Sequence, residues 1–291
     1  MTRSRRAVLL TALLLPLLGV ARGQGTAPLL PLTTPGLDHL DVIVPDVEKS
    51  ARFYMALFHT TLHAQPFQGG QRYFVLLGPL PENRAVGYLA IGASRGRGTY
   101  IGHFCTSVAN WRRDGEAIFA QMTQQLSAAG FGVFPGGNGI GGIFSDPDGI
   151  EIQFLPSPDT LVTAAVPSDL VPAERGVVVP ERVDRVQLRV TNLDRAVAYY
   201  RILYGKEQLR TADRAEFAFS NGTRLMLEQG RYVYGQSQAR ITRYGIRVKP
   251  FDLAAAKAAI VAAGGSIVGE ERGVLRLKDA DGIELELISS T

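Results

Sequence analysis

The chain holds four histidines and a single cysteine, and two of the histidines stand in segments that could do chemistry. His39 lies in residues 37–44 (LDHLDVIV) and His103 in residues 102–108 (GHFCTSV), and both segments alternate as a strand with one covered and one open face does. Period-two parity puts His39, Asp41 and Ile43 on one face, against Leu40, Val42 and Val44 on the other. It likewise puts His103, Cys105 and Ser107 opposite Phe104, Thr106 and Val108. A neutral imidazole has one lone pair, which either ligates a divalent metal or accepts a hydrogen bond in a cleft, and the residues alone leave both readings open. Asp41 either orients an imidazole through its second nitrogen or faces solvent. Cys105 could ligate or attack as a thiolate, but a small buried thiol is the simpler reading.

These strands belong to a repeat. Residues 37–58 (LDHLDVIVPDVEKSARFYMALF) match the pattern of residues 183–204 (VDRVQLRVTNLDRAVAYYRILY): an alternating strand, a turn at Pro45-Asp46 or Thr191-Asn192, then a helix. Val47, Ala51, Tyr54 and Phe58, or Leu193, Val197, Tyr200 and Tyr204, fall at near-helical spacing, with Phe53 and Tyr54 read as packing residues. Residues 145–155 (SDPDGIEIQFL) and 278–288 (KDADGIELELI) each give a tight Asp-Gly turn feeding a last strand. Two further strand-helix units end at Gly130 and Gly264, where glycine suits a helix C-terminus, and Trp111 reads as the anchor of the first of these helices. Residues 136–142 (GGNGIGG) contain a GxGxxG spacing but open no helix, so they read as a loop at a pocket mouth rather than a nucleotide site.

The 291 residues exceed one ordinary domain. Arg3, Arg5 and Arg6 precede an uncharged run and then Ala21-Arg22-Gly23, the order of a secretory leader over residues 1–23, and the pair Arg5-Arg6 resembles a twin-arginine signal. The expected destination is the periplasm or the outside of the cell, and no later run is long enough to span a membrane. Taking the four arginines of the leader from 31 basic residues leaves 27, against 27 acidic. With no basic stripe left, nucleic acid is excluded as the expected partner; a small molecule is expected instead, and a homodimer stays open. One cysteine permits no intrachain disulfide. Residues 24–35 and the proline-rich residues 157–181 read as surface linkers, leaving domains at 36–156 and 182–289.

The Phe53-Tyr54 helix, the second strand-helix start and the Asp146-Pro147-Asp148-Gly149 ending, repeated over nearly all of the chain after the leader, resemble the vicinal-oxygen-chelate superfamily of glyoxalases, bleomycin-resistance proteins and extradiol dioxygenases. The resemblance implies an α+β fold of four tandem βαβββ modules in two domains, with curled mixed sheets and helices on the convex faces. It also implies a divalent metal (Fe, Mn or Zn) on the concave face. Carried over by position, His39 and His103 are ligands, and the third is Gln153, where the family usually has glutamate, or Glu151 two residues earlier. In the second domain Arg185 and Arg243 replace the histidines and Glu286 keeps the carboxylate. Two guanidiniums cannot ligate, so Arg185, Arg243 and Arg247 would receive an anion or form an internal network with Glu286. The implied function is a metal-dependent enzyme on a small vicinally oxygenated substrate, dioxygenase-like ahead of glyoxalase-like. Its rival is a metal-free binding protein of the bleomycin-resistance type.

Overall fold

The computed structural model describes residues 29–67, 69–78, 87–133, 142–156, 165–173, 176–230 and 240–290. The leader, most of the glycine-rich loop and part of the proline-rich linker lie outside these residues.

Two mixed sheets carry the fold. The first consists of β1 (Gly36–Val44), β2 (Leu62–Phe67), β3 (Gly70–Leu76), β4 (Tyr88–Ala93), β5 (Tyr100–Val108), β6 (Gly142–Ser145) and β7 (Glu151–Pro156), in the order β2-β3-β4-β1-β5-β7-β6. Helices α1 (Val47–Leu57) and α2 (Trp111–Ala128) belong to it. The second consists of β8 (Pro180–Val190), β9 (Leu209–Arg210), β10 (Arg214–Ala218), β11 (Arg224–Gln229), β12 (Arg240–Val248), β13 (Ser266–Glu271), β14 (Val274–Lys278) and β15 (Glu284–Ser289), in the order β13-β14-β15-β12-β8-β11-β10-β9. Helices α3 (Leu193–Tyr204) and α4 (Leu253–Ala262) complete it. Within each sheet the first strands of two modules, β1 with β5 and β8 with β12, pair antiparallel at the centre, and each lies parallel to the last long strand of its own module. The expected α+β architecture of paired modules is what the chain adopts.

Local chemistry explains the elements. Asp46 caps α1 by accepting from the Glu48 and Lys49 amides, and Asn192 caps α3 by accepting from Arg195. Gly130 and Gly264, at φ 80° and 89°, end α2 and α4 in the left-handed conformation that L side chains avoid. Leu40, Val42 and Val44 are buried beneath the helices, as their parity requires, and Trp111 stacks on Phe154 at 6.0 Å between ring centroids.

The Asp-x-Asp-Gly turns do more than turn. Asp146 Oδ1 accepts from the amides of Asp148 and Ile150 at 2.9 and 2.8 Å, and Asp279 Oδ1 accepts from those of Asp281 and Ile283 at 2.9 Å each. The other oxygen of each first aspartate reaches the opposite domain: Tyr54 OH donates to Asp279 at 2.6 Å and Tyr200 OH donates to Asp146 at 3.1 Å. The second aspartates do the same, Asp281 accepting from Ser50 Oγ at 2.5 Å and Asp148 from the Thr191 amide at 2.8 Å. Each domain is thus clamped at its last turn by the opening of the other domain's first helix, and Tyr54 is an interdomain donor as well as a packing residue. Burial pushes the Asp146 carboxyl up to about 6 despite its three donors, and it raises Asp279 as well.

The segments read as surface linkers are partly interior. Leu30 and Leu32 are buried, and Leu32 donates its amide to Leu203 O at 2.7 Å. Beyond β7, Leu170 and Val178 are fully buried, and Asp169 accepts from Arg52 of α1 at 2.6 Å. Proline content shows where regular structure stops; the isolated apolar residues between the prolines decide what the segment covers.

Candidate metal centre

His39 and His103 do meet, through Gln153. Nε2 of His39 lies 2.9 Å and Nε2 of His103 lies 3.0 Å from Gln153 Oε1. The two rings stand edge to face with centroids 5.6 Å apart. β1, β5 and β7 place them: β1 and β5 pair directly, and β7 runs parallel to β5 with Cys105 opposite Gln153. Both histidines are buried, at 2% and 7% exposure. Tyr88 on β4 stacks on His39 at 4.2 Å and, with Phe74, Leu76 and Ala90, makes a buried apolar wall on this side.

A carboxylate stands behind each imidazole. His39 Nδ1 is 2.9 Å from Asp38 Oδ1, whose other oxygen accepts from Ser107 Oγ at 2.7 Å. His103 Nδ1 is 3.4 Å from Asp41 Oδ2, and Asp41 Oδ1 pairs with Arg72 at 2.5 Å. Arg72 is held over the faces of Phe67 and Phe74. Burial, the largest cause, lowers His103 to about 4, so its ring is neutral at neutral pH. A neutral ring that turns its Nδ1–H toward Asp41 has a lone pair on Nε2, and Asp38 sets the same tautomer at His39. Each Nε2 lone pair then faces the Gln153 carbonyl oxygen. Three acceptors this close repel unless something electropositive lies among them.

A divalent cation meets that requirement. Ligands about 2.1 Å from one ion and at right angles stand about 3 Å apart, the separation of Gln153 Oε1 from either histidine. The donor set therefore fits the metal that the resemblance implies, with a neutral amide where a carboxylate would be usual. Without a metal, His103 in its other tautomer donates Nε2–H to Gln153 Oε1, or a turned Gln153 amide donates its NH2 to both imidazoles.

Of the other residues singled out by sequence, Glu151 is exposed at the mouth of the neighbouring cleft, while Gln153 makes both histidine contacts. Asp41 is buried, 3.4 Å from His103 Nδ1, rather than facing solvent. Cys105 is fully buried, donates to Thr106 O at 3.6 Å, and gathers with Asp38 and His39 so that their ligand atoms lie within 4.8 Å of one another. In the second domain Arg185 Nε donates to Glu286 at 2.7 Å and Arg243 Nε lies 3.4 Å from it. Arg247 stands apart, held by Asp184 at 2.5 Å. Asp38, Arg72 and Tyr88 are additions from the structure.

A cleft of about 1080 Å³ opens beside this centre between the domains. Asp41, Arg72 and His103 line it on one side, and Arg240, Ile241 and Ile283 line it on the other.

Residues 36–154 match the model of the Glyoxalase/Bleomycin resistance protein/Dioxygenase superfamily, and the second sheet repeats the architecture of the first. Among individual proteins, the chain is 26% identical over 193 residues to the probable chloroplastic lactoylglutathione lyase of Arabidopsis thaliana. That match covers 62% of this chain, which spans about half (47%) of the relative's length. In structure the chain is similar to the 2,3-dioxygenase LapB of Pseudomonas sp. KL28, with a TM-score of 0.63, 13% identity, and coverage of 88% of this chain and 92% of that one. It is also similar to the Mn(II)-bound glyoxalase of Novosphingobium aromaticivorans, with a TM-score of 0.61, 11% identity, and coverage of 88% and 82%.

Proposed function

We propose that the protein is a metal-dependent enzyme acting on a small, vicinally oxygenated molecule, with its chemistry in the first domain. The observation that carries this reading is the placement of His39 Nε2 and His103 Nε2 at 2.9 and 3.0 Å from the same Gln153 Oε1, each histidine with a carboxylate near its other nitrogen. A bound Fe, Mn or Zn ion would supply Lewis acidity toward two adjacent substrate oxygens. The chain's own residues do the rest. Asp38 and Asp41 hold the imidazole tautomers, and the wall of Tyr88, Phe74 and Leu76 excludes water. Arg72, fixed by Asp41 at the cleft floor, offers its remaining N–H groups to a substrate oxygen.

Ring-cleaving dioxygenase chemistry is favoured over a glyoxalase-like lyase because three side-chain donors converge, leaving room for substrate and dioxygen. The test is aerobic turnover of catechol, followed by the ring-opened product, beside methylglyoxal hemithioacetal as the lyase substrate. Ring opening that disappears in His103→Ala supports the proposal; turnover of the hemithioacetal alone would replace it with the lyase reading. The Gln153 amide also favours one other reading, since its NH2 could satisfy both histidines in a metal-free ligand-binding protein. That reading requires stoichiometric ligand capture without turnover.

Export completes the proposal. It is supported by the leader-like residues 1–23, and among the described residues no helix is long and apolar enough to cross a membrane. Processing of the untagged chain into the periplasm, blocked when Arg5 and Arg6 are both changed to Lys, would identify the twin-arginine route; continued export of that variant would exclude it.

A further inference from the structure

The register of the two sheets sets the two concave faces side by side, residue for residue. In the first, one row crosses the strands: Ile143 on β6, Gln153 on β7, Cys105 on β5 and, past an irregularity in β1, His39 facing Tyr88 on β4. The matching row in the second is Arg276 on β14, Glu286 on β15, Gly245 on β12, Arg185 on β8 and Arg224 on β11. Lone pairs and aromatic faces in one domain are exchanged for charge in the other.

The charges do not balance. Glu286 is 5% exposed, and its two oxygens face Arg185 Nε at 2.7 Å and Arg243 Nε at 3.4 Å, while Arg276 stands directly opposite it across β14 and β15. One carboxylate therefore stands between two guanidiniums, while that of Arg276 lies over Gly269 on β13, on the far side of β14. Arg185 and Arg243 each turn only Nε toward Glu286, and Arg276 has no ion-pair partner among the described residues. The Arg185 and Arg243 side chains are only 21% and 31% exposed, so the uncompensated cations are poorly screened and their remaining donors are poorly hydrated. A Cβ on Gly245 would sit 2.9 Å from Arg185 Cγ, so glycine is what lets the arginine stem lie across the strand. Further along the face Arg189 and Arg240 are cross-strand neighbours of like charge, with Glu228 beside Arg189 on β11.

We propose that this face of the second domain is an oxyanion site, in which Arg185 and Arg243 bind the carboxylate or phosphate group of a small molecule and Glu286 holds both guanidiniums in place. Planar N–H forks match either anion. The site is independent of metal binding in the first domain.

Calorimetric titration of the full chain at low ionic strength with inorganic phosphate, and separately with succinate, tests it. One saturable site per chain is expected for at least one probe, and the probe that binds tells phosphoryl from carboxylate ligands. Arg243→Gln should weaken binding about tenfold, the loss of one charge-assisted contact. His39→Ala should leave binding unchanged, which separates this site from the proposed metal. Glu286→Gln, by removing the competing carboxylate, should tighten binding. No saturation by either probe up to about 10 mM, near the limit of millimolar affinities, would overturn the proposal. Binding that ignores Arg243→Gln would mark an adventitious ion only and overturn it equally.

Discussion

Asp38 gives the sharpest quantitative handle on the metal centre. Its Oδ1 lies 2.9 Å from His39 Nδ1 and its Oδ2 accepts from Ser107 Oγ at 2.7 Å, so one buried carboxylate fixes both the tautomer and the angle of the proposed ligand His39. Asp38→Asn preserves that geometry: the amide oxygen still faces His39, and the amide nitrogen donates to the Ser107 hydroxyl, which can accept. Only the negative charge is lost, and with it part of the basicity of His39. Removal of such partners weakens metal affinity by about 10- to 100-fold, and the lower end, about 1.4 kcal/mol, applies where geometry survives. Asp38→Ala loses tautomer control as well and should approach the upper end, about 2.7 kcal/mol. The assay is titration of metal-stripped protein with Mn(II), beside thermal melts that confirm folding. The expected order is wild type, then Asn, then Ala. Equal affinity for all three proteins, with the fold intact, would refute the idea that Asp38 acts through His39.

Other outcomes follow from the same geometry. Gln153→Glu places a carboxylate between the imidazoles and should raise Mn(II) affinity at least tenfold, on the scale of charge-assisted ligation, while lowering the stability of the metal-free protein; unchanged affinity on titration would remove Gln153 from the ligand set. Tyr54→Phe strips the 2.6 Å donor from buried Asp279 and should cost about 2–3 kcal/mol in urea unfolding, more than Tyr200→Phe, whose bond to Asp146 is 3.1 Å; the reverse order would contradict the clamp. Asp146 is raised from 3.8 to about 6, so the folded state holds its proton more tightly than the unfolded chain. Its contribution is full below about pH 3.8 and is lost as pH rises through about 6, a change of at most about 3 kcal/mol. Wild-type stability relative to Asp146→Asn should therefore fall between pH 4 and pH 7, and a constant difference in denaturant melts would disprove the assignment.

The paired-module architecture was legible because two kinds of signal repeated. Strand parity set Leu40, Val42 and Val44 beneath the helices, and Gly130 and Gly264 marked helix ends by a conformation few other residues take. His39 and His103 were legible as candidates, and family position supplied Gln153. Asp38 was not legible, because parity turns the neighbour of His39 to the other face. The register between β1 and β5 shifts between Leu37 and Leu40, and at that irregularity adjacent side chains serve one site. Arg72 and Tyr88 come from strands whose order in the sheet no local period reveals. The Tyr54–Asp279 clamp joins residues 225 positions apart, so nothing near either residue announces it. Arg247 illustrates the converse: alternation groups it with Arg243, but Asp184 draws it away.

The central claim is that His39, His103 and Gln153 hold a divalent cation. Elemental mass spectrometry on the anaerobically purified protein, beside His39→Ala and His103→Ala, tests it most directly. About one Fe, Mn or Zn per chain, lost in both variants, is the result the geometry requires of a three-donor site. A metal-free wild type, or metal retained in full by both variants, would contradict it.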